Sequence, residues 1–138
     1  MRIEHTIDIA APPEKVWALT VDVESWPELS PTMTAVERLD EGPLRVGSTA
    51  RVKQPGQRAK VWTVTAVEQG RRFAWASRVF GTDMTATHTL HPTGEGTANT
   101  LTIDVTGRAS GLVGRVIGGQ IHNTLATENA KFKQAAES

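Results

Sequence analysis

The N-terminal segment changes from a strand pattern to a helix pattern. Arg2 to Ile9 alternates isoleucine or histidine with charged or hydroxyl side chains, and a period of two is typical of a half-buried strand. Pro13 suits the first turn of a helix, where a missing N–H group leaves no hydrogen bond unmade. The pattern therefore predicts a short helix over Glu14 to Val21. Two further prolines limit Glu24 to Thr32 to at most one more short helix.

The middle of the chain predicts a series of strands joined by short turns. Runs rich in Val, Thr and Trp alternate with turn signals such as Pro55-Gly56 and Gln69-Gly70. Short connections between consecutive strands favour an antiparallel meander over parallel crossover units. The six strands predicted here are Thr34 to Leu39, Thr49 to Gln54, Lys60 to Glu68, Phe73 to Phe80, Thr82 to His91 and Ala98 to Thr106.

The C-terminal segment has a helical period. From Ser110 to Ala136, apolar residues recur on one broad face. A helix of that length measures ~40 Å, whereas a domain of this size has a radius of gyration of only ~14 Å. The helix must therefore cross the whole molecule, on the one surface long enough to hold it, the sheet. This order predicts an α+β fold with a curved seven-stranded antiparallel sheet and one long C-terminal helix.

Composition and charge narrow the function classes. The chain has 138 residues, with 15 Lys or Arg and 15 Asp or Glu, so its formal net charge is zero. A neutral balance argues against nucleic-acid partners and against a polybasic membrane anchor. Cysteine is absent, which excludes disulfides, thiolate metal sites and cysteine nucleophiles. We find no signal-peptide pattern and no apolar run long enough for a membrane span, so we expect one cytoplasmic domain over residues 1–138.

Several short motifs follow one another along the whole chain. They are Ile9-Ala10-Ala11-Pro12-Pro13-Glu14-Lys15-Val16-Trp17, Ser25-Trp26-Pro27-Glu28-Leu29-Ser30-Pro31, Gly47-Ser48, Trp62-Thr63-Val64, Arg72-Phe73-Ala74-Trp75, His88-Thr89-Leu90-His91-Pro92, Gly96-Thr97 and Gly107. Their order resembles the START/Bet v 1-like helix-grip (SRPBCC) superfamily, specifically its polyketide cyclase/dehydrase-like branch. The resemblance implies two short helices after the first strand and a long helix across the concave face of the sheet. It also implies a cavity between them for a small apolar or aromatic molecule, without supplying a catalytic motif.

Strand parity predicts which side chains occupy the concave face. The apolar parity groups Trp62, Val64 and Ala66, then Phe73, Trp75, Ser77 and Val79, then Met84, Ala86, His88 and Leu90, and finally Leu101, Ile103 and Val105. A β-bulge in any strand would exchange the two faces beyond it. From these groups, the long helix and the segment after the short helices, we predict a ligand site formed by Trp26, Trp62, Val64, Trp75, Ser77, Met84, Ala86, His88, Ile103, Ile117, Gln120, Ile121 and Thr124.

Several of these residues have two interpretations. His88 is either a hydrogen-bonding or proton-transfer group inside the cavity, or a satisfied histidine near a hairpin end. The tryptophans either form the wall of an aromatic pocket or simply fill the core. Gln120, Thr124 and Glu128 recur at four-residue spacing on the apolar helix face, which indicates either a solvated cavity there or a helix turned to its flank. The histidines lack metal-ligand spacing, so we expect no metal and no cofactor.

Three functions fit these observations. The leading hypothesis is a protein that binds a small hydrophobic or aromatic molecule between the sheet and the C-terminal helix. The second is a polyketide cyclase/dehydratase-like enzyme that uses His88 as its acid/base. The third is a protein-interaction module with a vestigial cavity. The sequence leaves the ligand identity and the oligomeric state open.

Overall fold

The computed structural model describes residues 1–79, 81–107 and 110–138, except for the side chains of 79 and 110–117. Three α-helices and seven strands form the described part, with a 3-10 turn at Val23–Ser25. The helices are α1 (Pro13–Val21), α2 (Trp26–Leu29) and α3 (Ser110–Glu137). The strands are β1 (Arg2–Ile9), β2 (Ala35–Arg38), β3 (Thr49–Lys53), β4 (Lys60–Glu68), β5 (Arg72–Val79), β6 (Thr82–Thr93) and β7 (Gly96–Gly107).

The strands form one antiparallel sheet in the order β1-β7-β6-β5-β4-β3-β2. The predicted α+β helix-grip architecture is confirmed, with two short helices after β1 and one long helix at the C-terminus. β6 and β7 are longer than the sequence predicts, because their pairing continues as far as Thr93 opposite Gly96. The predicted end of the fifth strand at Phe80 lies outside the described residues.

A β-bulge in β4 changes which side chains face the core. Val64 pairs with Trp75, but Ala66 rather than Thr65 pairs with Ala74, so the register shifts by one residue. Beyond this point Val67 packs against the core, and Ala66 lies with Thr65 on the opposite face of the sheet. The prediction that Ala66 shares the concave face was therefore wrong, since parity inverts across a bulge.

A buried amide network holds α3 on the sheet. Asn129 of α3 and Asn99 of β7 are both fully buried, and Nδ2 of Asn99 donates to Oδ1 of Asn129 at 2.8 Å. Nδ2 of Asn129 in turn lies 2.9 Å from both Nδ1 and the carbonyl oxygen of His5 in β1. The helix therefore packs chiefly against β1 and β7, which leaves space between its cavity-facing side and the central strands.

Candidate functional site

A cavity of about 200 Å³ lies between the sheet and α3. Side chains of β3 to β7 form one wall, α3 from Gln120 to Glu128 forms the opposite wall, and Trp26 of α2 closes one end. The lining residues are Trp26, Met33, Val52, Gln54, Gln57, Lys60, Trp62, Trp75, Met84, Ala86, Thr87, His88, Leu101, Thr102, Ile103, Gln120, Ile121, Thr124, Leu125 and Glu128.

Three tryptophans give the cavity an aromatic wall. The ring centroid of Trp75 lies 5.2 Å from that of Trp26 and 5.8 Å from that of Trp62, and all three residues are buried. Nε1 of Trp26 donates to the carbonyl oxygen of Leu19 at 3.1 Å. Because this bond satisfies the polar edge of the indole, Trp26 offers the cavity apolar ring surface.

His88 adds a titratable ring to this wall. Its neighbours in the sheet are Phe73 and Leu101, and its ring centroid lies 5.1 Å from that of Trp26 and 5.9 Å from that of Phe132. Burial lowers the pKa of His88 to about 4, because the charged imidazolium loses its hydration there. The ring is therefore neutral at pH 7.

The hydrogen bonding of His88 indicates its tautomer. Nδ1 is buried and has no hydrogen-bond partner among the described residues. Buried N–H groups are left unpaired more rarely than buried acceptors, so the favoured neutral form keeps a lone pair on Nδ1 and the proton on Nε2. His88 then carries one N–H donor in a ring that lines the cavity. A single N–H donor at the cavity wall can orient a bound molecule by one hydrogen bond.

Glu128 is the second buried titratable group in the cavity. Oγ1 of Thr32 donates to its Oε1 at 3.0 Å, and Oγ of Ser30 lies 2.8 Å from Oγ1 of Thr32. Since the hydroxyl proton of Thr32 points to Glu128, Ser30 is the donor to Thr32. Desolvation raises the pKa of Glu128 to about 7, and the hydrogen bond from Thr32 offsets part of this rise. The carboxyl thus changes its protonation near neutral pH.

The cavity opens between the β3–β4 loop and α3, where its lining is polar. Gln57 and Gln120 are exposed, and Gln54 and Lys60 are half-buried. Nζ of Lys60 donates to Oε1 of Gln57 at 2.7 Å. A positive charge therefore lies at the opening, whereas the aromatic wall inside carries none at pH 7.

The structure brings most of the predicted site residues together around this cavity. Those that line it are Trp26, Trp62, Trp75, Met84, Ala86, His88, Ile103, Gln120, Ile121 and Thr124. Val64 and Ser77 do not line it: Val64 packs into the core, and the Ser77 hydroxyl donates to the carbonyl oxygen of Val61 at 3.0 Å. Strand parity predicts which face of the sheet a side chain occupies, but it does not predict whether the cavity extends to that point along the strand. For this reason both residues were included in the predicted site. The side chain of Ile117 lies outside the described residues.

Other lining residues were not predicted from the sequence. Gln54 and Gln57 belong to a loop without periodicity, and Met33 follows the irregular end of the short helices. Glu128 does line the cavity, which decides between the two interpretations of the polar helix face. Its signal in the sequence was a carboxylate four residues after Thr124 on an apolar face.

In the described part of the chain, no group of three or more His, Cys, Asp or Glu side chains is arranged to hold a metal ion. None of the helices described is both long and apolar enough to cross a bilayer.

His88 and Glu128, the two buried titratable groups, should make the free energy of unfolding depend on pH in opposite directions. His88 has a lowered pKa, so its contribution to folding is present above the unfolded value of 6.5 and is lost as pH falls towards about 4. Glu128 has a raised pKa, so its contribution is present below 4.5 and is lost as pH rises through about 7. Between about pH 4.5 and 6.5 the two slopes, each up to ~1.4 kcal/mol per pH unit, cancel in the native protein.

Urea unfolding of single variants across this range separates the two slopes. Relative to the native protein, Glu128→Gln should make the free energy of unfolding rise more steeply with pH, because the His88 slope is then unopposed. His88→Leu should make it fall with pH, because only the Glu128 slope is left. Exposed carboxylates contribute equally to all three proteins. Parallel pH profiles would show that these two groups are not buried as described.

A long helix across a seven-stranded antiparallel sheet, with an aromatic-lined cavity between them, defines a protein of the helix-grip class. The chain belongs to the family described as polyketide cyclase / dehydrase and lipid transport, whose model matches residues 1–137. The resemblance inferred from the sequence motifs is thereby confirmed.

Solved structures share this fold along the whole chain. The Zhui aromatase/cyclase from a Streptomyces species is 22% identical, with a TM-score of 0.69 over 99% of this chain and 90% of that chain. The di-domain ARO/CYC StfQ from the steffimycin biosynthetic pathway is 14% identical, with a TM-score of 0.79 over 99% of this chain and 50% of that chain. TTHA0849 from Thermus thermophilus is 17% identical, with a TM-score of 0.78 over 99% and 97%. No protein of curated function matches the chain significantly.

Proposed function

We propose that the protein binds a small, uncharged hydrophobic or aromatic molecule in the cavity between the sheet and α3. The observation that carries this proposal is the buried wall of Trp26, Trp62 and Trp75 beside a space of about 200 Å³. An apolar cavity of about 150 Å³ binds benzene, so this space suits a molecule of one or two fused rings. A larger polyketide or a long acyl chain would require α3 or the β3–β4 loop to move.

His88 is proposed to orient the ligand. Its neutral ring supplies an N–H donor within an apolar wall, where a hydrogen bond to a carbonyl or hydroxyl oxygen is stronger than in water. Thr124 and Gln120 add polar groups on the helix wall of the cavity. The family description and the aromatase/cyclase names of two structural relatives support an aromatic ligand.

A fluorescence titration tests the proposal with two probes, naphthalene and 2-acetylnaphthalene. Both should bind saturably and change the emission of the wall tryptophans. His88→Leu should weaken the binding of 2-acetylnaphthalene roughly 5- to 150-fold, corresponding to ~1–3 kcal/mol for an unpaired polar atom, and leave the binding of naphthalene almost unchanged. His91→Leu is the matched control, because His91 is exposed on the same strand, and it should bind both probes as the native protein does.

The same His88 variant should be at least as stable as the native protein at pH 7. Leucine removes the unpartnered Nδ1 from the core. Removing an unsatisfied buried polar atom stabilises the folded state by ~1 kcal/mol or more. An affinity of the variant for 2-acetylnaphthalene equal to that of the native protein would remove His88 from the proposed role. Absence of saturable naphthalene binding would contradict the ligand-binding function itself and favour the interaction-module hypothesis.

A cyclase or dehydratase activity is the second candidate, favoured by the carboxyl inside the cavity. A general acid or base works best with a pKa near the working pH, and burial raises the pKa of Glu128 to about 7. With a pKa lowered to about 4, His88 is a weak base, so we assign proton transfer to Glu128 and orientation to His88 in this case. Turnover of a polyketone substrate, reduced ~100-fold or more in Glu128→Gln, would favour the enzyme over the binder.

A further inference from the structure

One oxygen of the Glu128 carboxyl group is hydrogen-bonded within the protein, and the other has no hydrogen bond among the described residues. Oε1 accepts the hydrogen bond from Thr32, and no hydrogen bond among the described residues uses Oε2. When the carboxyl is protonated, the proton therefore belongs on Oε2, because Oε1 already accepts. The side chain lines the cavity and is only 8% exposed, so the O–H group has a ligand as its natural partner.

We propose that Glu128 is a specificity-determining residue of the cavity, which donates a hydrogen bond to a carbonyl oxygen of the ligand while it is protonated. This inference rests on the proposed ligand-binding function. It adds a second polar anchor, on the helix wall, to the His88 anchor on the sheet wall. A ligand with oxygen acceptors at two positions, such as an aromatic diketone or a quinone, would use both anchors.

The surroundings of Glu128 leave it as the cavity group that changes charge near neutral pH. α2 and the loop after it contribute Trp26, Ser30, Thr32 and Met33, none of which titrates. β6 contributes His88, which burial keeps neutral above its lowered pKa of about 4. β4 contributes Lys60 at the opening, and the lining side chains of β7 and the other lining side chains of α3 are uncharged. Among the groups that line the cavity, Glu128 is therefore the one whose ionisation should change ligand affinity between about pH 6 and 8.5.

Ionisation of Glu128 should affect two kinds of ligand in opposite ways. A carbonyl oxygen can only accept, so it loses its donor and meets a negative charge when Glu128 ionises. A hydroxyl group can donate, and a hydrogen bond to a carboxylate is stronger than one to a neutral acid. The sign of the pH effect therefore distinguishes direct contact with Glu128 from a general change in the cavity.

Three probes built on the same ring system test this inference in the full-length protein. They are naphthalene, which has no polar group, 1,4-naphthoquinone, which only accepts, and 1-naphthol, which can donate. The chain has no cysteine that a quinone could modify. Relative to naphthalene, the quinone should bind about tenfold more weakly at pH 8.5 than at pH 6, corresponding to the loss of one hydrogen bond. 1-Naphthol should show no such loss.

Two variants assign the effect to Glu128. Glu128→Gln keeps a donor without a charge, so it should bind the quinone with no dependence on pH in this range. Thr32→Val removes the hydrogen bond that lowers the pKa of Glu128, so it should move the midpoint of the quinone profile to higher pH. Glu95→Gln, at the exposed turn between β6 and β7, is the control and should keep the native profile.

The outcomes separate this inference from the function on which it rests. Binding of all three probes with parallel pH profiles, or an unchanged quinone profile in Glu128→Gln, would overturn the role of Glu128 and leave the ligand-binding function standing. Failure of naphthalene to bind at pH 6 would overturn the proposed function as well. Urea unfolding at pH 6 checks that each variant is folded.

Discussion

Gly96→Ala should lower the free energy of unfolding by about 3–5 kcal/mol. Gly96 starts β7 with φ +155°, a conformation that side-chain-bearing residues rarely adopt. A Cβ atom there would overlap the carbonyl oxygen of Ile9 and lie 2.8 Å from the backbone nitrogen of Ala11. Since both neighbours are backbone atoms, the β6–β7 hairpin would have to move away from the junction of β1 and α1, which adds overpacking to the conformational strain.

The turn itself provides the control for this prediction. Gly94 lies two residues earlier, and a Cβ atom there would meet nothing within 4 Å. Gly94→Ala should therefore change the free energy of unfolding by less than ~1 kcal/mol. Urea unfolding monitored by tryptophan fluorescence measures both variants. Equal stability of the two would mean that the hairpin does not contact the β1–α1 junction as closely as described.

Asn129→Leu should destabilise the protein by about 3 kcal/mol through the polar groups that it leaves unpaired. Leucine has a similar volume but cannot accept from Nδ2 of Asn99 or donate to His5. Asn99 is fully buried, so its amide cannot recover the lost hydrogen bond from water. Since this network holds α3 on β1 and β7, the variant should also bind 2-acetylnaphthalene more weakly.

Two further variants show whether the loss comes from the network. Asn123 is exposed on the same helix, so Asn123→Ala should lie within ~0.5 kcal/mol of the native protein. The double variant Asn99→Leu with Asn129→Leu should be less destabilised than the sum of the single variants, because it removes both partners of the 2.8 Å hydrogen bond. Additive effects in urea unfolding would argue against direct coupling of the two amides.

Most of the fold could be predicted from the sequence because the strands keep their period. β5, β6 and β7 pair without a shift, so a two-residue spacing placed Trp75, Met84, Ala86, His88 and Ile103 on the cavity face correctly. The predicted face of β4 was wrong beyond Val64. The bulge there arises from the pairing of β4 with β5 and leaves no periodic signal in the sequence. The long helix was predictable from its period and its length.

The chemistry of the site was less predictable, because it depends on neighbours that are distant in the sequence. Glu128 meets Thr32 across 96 positions of the chain, and no spacing rule connects them. The neutral state of His88 follows from its contacts with Trp26, Phe73 and Phe132. Gln54 and Gln57 reach the opening from a loop, where hydrophobic periodicity gives no information.

The measurement that tests the central claim most directly is the position of a bound probe. Intermolecular NOEs from 2-acetylnaphthalene to a protein labelled at its methyl groups and histidine rings report which surface the probe touches. We expect contacts to the methyl groups of Met84 and Ile121 and to the His88 ring, which line the cavity. Contacts to Thr85, Thr89 and Thr100 on the opposite face of the sheet, or no intermolecular contacts at saturating probe, would contradict binding in the cavity.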